Sequence, residues 1–442
     1  MPELGRRRAA PAPWNWQVAA LLSALTVLLL PLMFGQRSPE TVTASLLAMT
    51  VLTLLAVLCA SLSEAKRPMP ASWLAFAGLL SAMVLIQILP LPFLVNWFGP
   101  YPELVMQAGD VPPLSWSPDP GASIRGWVAF IALFGLAWLA YSMPRRLRYW
   151  IWLSVVAAAL FQALYGLLAH AGGSETVLGI WPRASNANVY GSLYHRGAFA
   201  AYLALTWPLA VAVWHMRDMP LLGRLPRELK IAGSVVSAAL IGAAIVGSTS
   251  RLGAAAGLFG MLLMLILWSR HRRRTGGGSL WPAVLAVTAT AIGALWFGVA
   301  PLAERVIEGG IDDVRFDAYA VVLTEFPRQW FVHGIGLGGF EAVFKQYRPP
   351  QIGGQWDYLH NDALQWIVEM GVVGVAMLLM VLVGLWRNAR LSTERVALYA
   401  GLAALALVGL GDYSWHIPAT QTVLALYLGT LLAPTRRRRR RH

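Results

Sequence analysis

VRFDAYAVVLTEFPRQW at 314–330, HGIGLGGF at 333–340 and YLHNDALQWIVEMGVVGV at 358–375 make up the stretch on which this chain's reading turns. It starts as a polar loop, passes a glycine-rich turn and runs into a long apolar segment. His360 and Asn361 stand where loop becomes apolar helix, and Glu369 follows about 13 Å further on, at about 1.5 Å of rise per residue. Almost everywhere else the chain reads as apolar helix. Here it gathers the cations, aromatics and glycines that chemistry requires.

Composition sets the class. The chain has 442 residues, 57% of them hydrophobic and 13% charged. Soluble globular proteins carry about 25% charged residues, so the sequence describes an all-α polytopic membrane protein. The single cysteine, Cys59, lies in an apolar run and excludes a disulfide framework. Twelve apolar runs are long enough to cross a hydrocarbon core of about 30 Å. They lie near 14–35, 41–62, 72–91, 123–143, 149–170, 195–215, 230–248, 251–269, 281–300, 360–386, 394–412 and 415–434. The first has basic flanks but no small-residue cleavage site, so it is expected to stay as a spanning helix. The chain then divides into helices over 1–300, a large loop at 301–359, helices over 360–434 and a basic tail at 435–442.

Charge supports the count. With the N-terminus inside, alternate segments hold Arg6–Arg8, Lys66/Arg67, Arg145/Arg146/Arg148, Arg217/Arg224/Arg227/Lys230, Arg270/Arg272/Arg273/Arg274, Arg387/Arg390/Arg395 and Arg436–Arg441. Those are 25 of the 35 Lys and Arg, so every second loop is basic, as the positive-inside rule requires. Both termini are expected in the cytoplasm. The same placement removes nucleic acid as a partner despite the net charge of +14, because the basic tail faces anionic head groups instead. No internal repeat and no matched pair of interrupted helices is visible, which weighs against a transporter.

Ten cations remain on the outer side or within the membrane, and three helix starts there stand out. They are His195/Arg196, Arg251 after Ser248–Ser250, and His360/Asn361. A helix N-terminus already carries about half a positive charge, so an arginine there opposes the dipole and stabilises no helix. Repeating that cost at one membrane level points to a bound anion. Arginine's planar fork suits phosphate or diphosphate oxygens. The bland alternative, snorkelling or pairing with an acid such as Asp312, Asp313 or Glu341, fits Arg37, Arg125, Arg305 and Arg348 better than Arg196 or Arg251.

His360, with Asn361 and Asp362 beside it, can take a proton from a hydroxyl at neutral pH. His195, His333 and His416 are possible substitutes. Glu369 lies nine residues past His360, about two and a half turns, and so faces the other side of the helix. It is expected to find a structural partner in another helix. No Asp-x-Asp pair occurs on the outer side, Asp119 reads as part of a turn, and the adjacent Asp312 and Asp313 diverge. The chemistry is expected to need neither metal nor cofactor.

Arg315, Phe326–Pro327, GIGLGGF at 334–340, HNDALQ at 360–365 and EMGVVG at 369–374 together resemble the O-antigen ligase and polymerase superfamily. STSR at 248–251 is similar to its Ser-x-Ser-Arg helix start. HRGAFAAYL at 195–203 resembles the preceding helix, where that family more often carries Asn, and GDYSWHIPA at 411–419 is similar to one branch's ending. The resemblance implies a GT-C-like glycosyltransferase with a partly helical periplasmic loop in the bacterial inner membrane. It implies a glycan carried on undecaprenyl diphosphate, moved with inversion and without metal to an acceptor hydroxyl. Carried over, Arg251, Arg315 and Arg196 would hold the diphosphate and His360 would be the base, with Asn361, Glu369 and Asp412 supporting. A lipid A-core acceptor would make it an O-antigen ligase. A growing glycan would make it a polymerase, and a protein hydroxyl an oligosaccharyltransferase. A transporter of lipid-linked sugars would want polar groups through the whole bilayer. The inner halves are instead apolar, as in LLMLIL at 262–267.

Overall fold

The computed structural model of the chain describes residues 12–33, 39–64, 66–98, 115–183, 188–193, 195–216, 218–275, 314–354 and 356–434. The expected helix at 281–300, Arg6–Arg8, Arg37, Arg217, Arg305, Asp312, Asp313 and the Arg436–Arg441 tail lie outside these residues. The first half comprises α1 (Trp14–Leu29), α2 (Pro39–Ser61), α3 (Ala71–Ile88), a short α4 (Pro92–Phe98), α5 (Pro120–Ser142) and α6 (Arg145–Ala171). A two-stranded hairpin, Thr176–Val177 against Trp181–Pro182, leads to α7 (Arg196–Ala212), α8 (Arg227–Gly247) and α9 (Arg251–Thr275). Then come α10 (Val314–Glu325), α11 (Trp330–His333), α12 (Phe340–Tyr347), α13 (Asp362–Arg387), α14 (Thr393–Val408) and α15 (Pro418–Leu432).

Eleven of the twelve apolar runs therefore coincide with helices. Among the described residues, nine helices are long and apolar enough to cross a membrane, and the protein is an all-α, multi-pass membrane protein. The last two depart from expectation. α14 and α15 have 16 and 15 residues, because glycines at 409 and 411 end one and Pro418 starts the other.

α7 occupies the centre, with 94% of its apolar window buried. Its Ala-rich sequence, AFAAYLALTWPLAVA from residue 198, lets α6, α8, α9 and α14 pack against it from several sides. α14 runs between chemically different ends. At its start, Arg148 and Trp152 of α6 both donate to Glu394, with Arg148 Nε at 3.0 Å and Trp152 Nε1 at 2.8 Å from Oε1. Beside it Arg395 donates to the Thr430 and Ala433 carbonyls, closing α15 onto the same end. The other end of α14 leads to residues 409–417.

The 314–359 segment has a small core of its own. Ala318, Val322, Phe326, Trp330, Ile335, Phe340, Phe344 and Leu359 cluster with Val368 of α13. The glycine-rich turn ties this cap to the bundle. Gly371 breaks α13 with φ 58° and ψ −151°, a region that only glycine enters freely. The break interrupts the helical ladder, and the loop supplies replacement donors. Ile335 N bonds Val368 O at 2.9 Å, and Gly336 N bonds Glu369 O at 3.1 Å. A Cβ on Gly371 would come within 2.3 Å of Val332 O, and one on Gly334 within 2.3 Å of Glu369 O. Two glycines thus let two backbones interlock. Trp116 Nε1 donates to Gly334 O at 3.0 Å, Ser123 Oγ to Leu337 O at 2.6 Å, and Leu337 N to Gln87 Oε1 at 3.1 Å.

Glu369 belongs to this lock. Its Oε2 accepts from Gly338 N and its Oε1 from Gln365 Nε2, each at 2.9 Å. The expected partner in another helix is corrected: the partners are the glycine turn and Glu369's own helix. A turn rich in glycine has no side chains to satisfy its N–H groups, so a buried carboxylate does so.

Gly371→Ala is expected to cost about 3 kcal/mol or more, seen as a lower melting temperature of the purified protein in detergent. Gly78→Ala is the control. A Cβ there meets nothing within 4 Å, so the change should be neutral or stabilising by about 0.5–1 kcal/mol.

Candidate functional site

Three consecutive residues build the start of α13. Asn361 is the N-cap, accepting from Leu364 N through Oδ1 at 3.0 Å. The preceding His360 sits at φ 58°, a conformation costing a non-glycine residue about 1–2 kcal/mol. Two bonds hold it there. Tyr319 Oη of α10 donates to His360 O at 2.6 Å, and Asp362 N donates to Gly409 O at 2.7 Å. Asp362 also accepts from Trp415 N at 3.0 Å and lies 3.4 Å from His416 Nε2. The 409–417 link is thereby fastened to the head of α13.

That link carries Asp412. Its carboxylate is buried, with the side chain 7% exposed, and Oδ1 lies 3.5 Å from His360 Nδ1, whose side chain is 22% exposed. Oδ1 also accepts from Tyr413 N at 2.9 Å. Oδ2 lies over the start of α7, where a Cβ on Gly197 would come within 2.3 Å of it. Glycine at 197 is what lets the carboxylate fit between α7 and His360. Burial by itself would raise the Asp412 carboxyl. The His360 ring 3.5 Å away, the charges of His195 and Arg315 and the Tyr413 N–H outweigh burial and hold it below the ordinary range.

Aromatic rings frame the histidine. Tyr413 meets the His360 ring edge-on at 4.7 Å and Trp356 at 5.4 Å, while Tyr358 stacks on Tyr413 at 5.1 Å and on His416 at 4.4 Å. Burial, with Asp357 close by, pushes the Tyr358 phenol far up, so it stays neutral at physiological pH. His360 Nδ1 is buried and faces Asp412, which leaves Nε2 as the nitrogen able to meet a substrate.

The cations arrive on three further helix starts. Arg315, second residue of α10, donates from Nη1 to Gly411 O at 2.7 Å, next to Asp412. Arg251 opens α9 and is exposed. Its neighbour Leu252 packs with Ala201 of α7 and Val408 of α14 and touches the Gly411 position. The turn before it is fixed: Thr249, at φ 54°, bonds the Asn188 side chain, and Ser250 Oγ accepts from Gly253 N at 3.2 Å. Arg196 is the first residue of α7, one before Gly197. Arg196, Arg251, Arg315, His360, Asn361 and Asp412 therefore come together where α7, α9, α10 and α13 begin. Glu369 does not join them.

The direct facing of His360 and Asp412, and the Tyr319 and Tyr413 contacts, are not predicted from sequence. His195, read only as a possible substitute for His360, lies 5.8 Å ring to ring from Tyr413. The tyrosines carry no spacing signal. GDYSWH at 411–416 is the one hint, since a charged residue between apolar runs needs a partner. Among the described residues no His, Cys, Asp or Glu group gathers as a metal site would need.

Residues 236–379 match the family model described as O-antigen ligase. The matched segment contains Arg251, Arg315, the glycine turn, His360 and the Gly371 break. The starts of α7 and the 409–417 link, with Arg196 and Asp412, lie outside it. No curated protein matches the chain.

Tyr319→Phe is expected to destabilise the protein by about 1 kcal/mol, while His360→Gly relieves the positive-φ strain but lowers net stability, because it also removes the ring that faces Asp412. Melting temperatures of both single variants and the double variant check this. The tyrosine change should cost less in the glycine background. An equal loss in both would show that Tyr319 does not hold His360 in its turn.

Proposed function

We propose that this chain, with its O-antigen ligase segment at 236–379, transfers a glycan from undecaprenyl diphosphate to lipid A-core on the periplasmic face of the bacterial inner membrane. The observation that carries this reading is His360 Nδ1 facing the buried Asp412 carboxylate at 3.5 Å, encircled by arginine-bearing helix starts.

In the proposed reaction the acceptor hydroxyl attacks the anomeric carbon on the face opposite the leaving diphosphate, inverting it. The new bond joins acceptor oxygen to anomeric carbon. The bond between that carbon and the phosphate oxygen breaks, and its electron pair leaves with the lipid diphosphate. His360 Nε2 takes the hydroxyl proton, while Asp412 fixes the ring and stabilises the imidazolium that forms. Charge gathers on the bridging oxygen as it departs. Arg251, Arg315 and Arg196 at helix N-termini stabilise it without reorganising. Arg315 commits one donor to Gly411 O, which aims its guanidinium. Asn361 caps α13 and Glu369 fixes the glycine turn behind it. No step calls for a metal or cofactor.

The test uses purified protein in lipid, supplied with undecaprenyl-diphosphate glycan with or without lipid A-core, and products resolved by size. A product that needs lipid A-core is expected. His360→Ala should lower kcat by about 10²–10⁴ with a normal elution profile. Asp412→Asn should lower kcat with the donor KM little changed. Arg251→Ala should raise the donor KM. Unaltered turnover by His360→Ala would sink the base assignment. A ladder of longer lipid-linked glycans without lipid A-core would make the protein a polymerase instead.

A further inference from the structure

His195 is the N-cap of α7, yet its side chain does not act as a cap. The backbone is fully engaged. His195 N donates to Leu193 O at 2.6 Å, and its carbonyl accepts from Phe199 N at 2.9 Å, the first bond of the helix. A cap residue ordinarily places a side-chain oxygen on the free N–H groups of the first turn, which this imidazole does not do. Its Nδ1 is buried and has no hydrogen-bond partner among the described residues. A buried ring nitrogen in that state is a cost that the helix start does not explain.

The ring borders the same small space as the Asp412 carboxylate. A Cβ on Gly197 would lie 2.3 Å from Asp412 Oδ2, 3.0 Å from His195 Cε1 and 3.1 Å from His195 Nδ1. The other carboxylate oxygen, Oδ1, faces His360 Nδ1 and accepts from Tyr413 N. Two histidines thus flank one buried carboxylate, His360 at Oδ1 and His195 on the side of Oδ2. Tyr413 lies against both rings, 5.8 Å from that of His195 and 4.7 Å from that of His360. Burial would raise the Asp412 carboxyl, and His195 is among the groups that hold it low.

A carboxylate facing an imidazole favours the charged form of the ring, and an imidazolium cannot accept a proton. To take the acceptor's proton, His360 has to enter the reaction neutral, so the pull of Asp412 on it has to be limited. A second ring beside the same carboxylate limits it. A neutral His195 does so through an N–H and a protonated one through its charge, and the sign is the same. We propose that His195 is a positioning residue for glycan transfer, sharing the Asp412 carboxylate with His360 and so keeping His360 available as a base. This role rests on the transfer reaction proposed above. Arg315 of α10, Asp362 of α13 and Tyr413 of the 409–417 link also interact with Asp412, and Arg196 adjoins His195 on α7. All four stay in place when His195 alone is changed.

Two measurements on the purified full chain test this. The first is the pH profile of glycan transfer. His195→Phe keeps a ring but no nitrogen. Its kcat/KM is expected to fall about tenfold on the acidic limb and to match wild type above it, because the limb moves to higher pH. His195→Asn, which keeps an N–H close to the place of Nδ1, should move the limb less. The second needs no activity: melting temperatures of His195→Phe, Asp412→Asn and the double variant. The His195 change should cost less in the Asp412→Asn background. An unmoved limb, transfer lost at every pH in His195→Phe, or equal melting losses in both backgrounds would overturn the proposal. Wild-type protein that transfers no glycan but shows the melting coupling would sink the transfer reaction, and the catalytic role with it, while the His195–Asp412 pairing stands.

Discussion

Burying a carboxylate in an apolar bundle costs several kcal/mol unless charge and hydrogen bonds compensate. Asp412 is compensated from every side. His360 faces one oxygen, the Tyr413 N–H donates to the same oxygen, and Arg315 lies one residue away on the Gly411 carbonyl. Each partner comes from a different element, so stabilising this one carboxylate assembles α10, α13 and the 409–417 link. The glycine at 197 adds α7 by leaving space for the second oxygen. Removing any partner would strand a buried charge, and for that reason these elements hold one arrangement.

A second constraint fixes the height of that assembly. The loop and α13 meet backbone to backbone at Gly334 and Gly371. Carbonyls released by the break in α13 accept from the loop, and the Glu369 carboxylate accepts from Gly338 N. These bonds run between groups with little freedom to slide. The small 314–359 core is therefore set at a defined depth over α13, and Tyr319 of α10 reaches the carbonyl of His360. The strained turn at His360 depends on this seating. Without the cap, no hydroxyl would be there to hold the residue at positive φ.

Much of this is legible in the sequence, and the parts that are not share a cause. Apolar run length marks helices because lipid leaves the backbone no other partners, so eleven of the runs appear as helices. The start of α13 is legible because Asn followed by Asp before an apolar run is an N-cap pattern. The break at Gly371 is not, since an isolated glycine inside an apolar helix is tolerated. Only the opposing Gly334, 37 residues earlier in the chain, makes it necessary. Tyr319 and Asp412 meet His360 through long-range packing with no fixed spacing. Glu369 shows the limit most plainly: a buried carboxylate demands a partner, but the sequence cannot say that a backbone N–H will serve.

The arginines at the two ends of the bundle stand in different surroundings. At the α14 end, Arg148 and Arg395 each have a structural duty, one on Glu394 and one on the carbonyls that finish α15. Those cations stabilise the bundle that contains them. Arg196 and Arg251 stand instead on the positive ends of α7 and α9, where the field of the helix opposes them. Apolar packing at Ala201, Leu252 and Val408 brings those two ends together, so their fields add. Arg315 is drawn in by the Gly411 carbonyl. The proposed lipid diphosphate, a doubly charged oxyanion, would meet these three arginines together with the positive ends of α7, α9 and α10, so one ligand would use both the side chains and the helix fields.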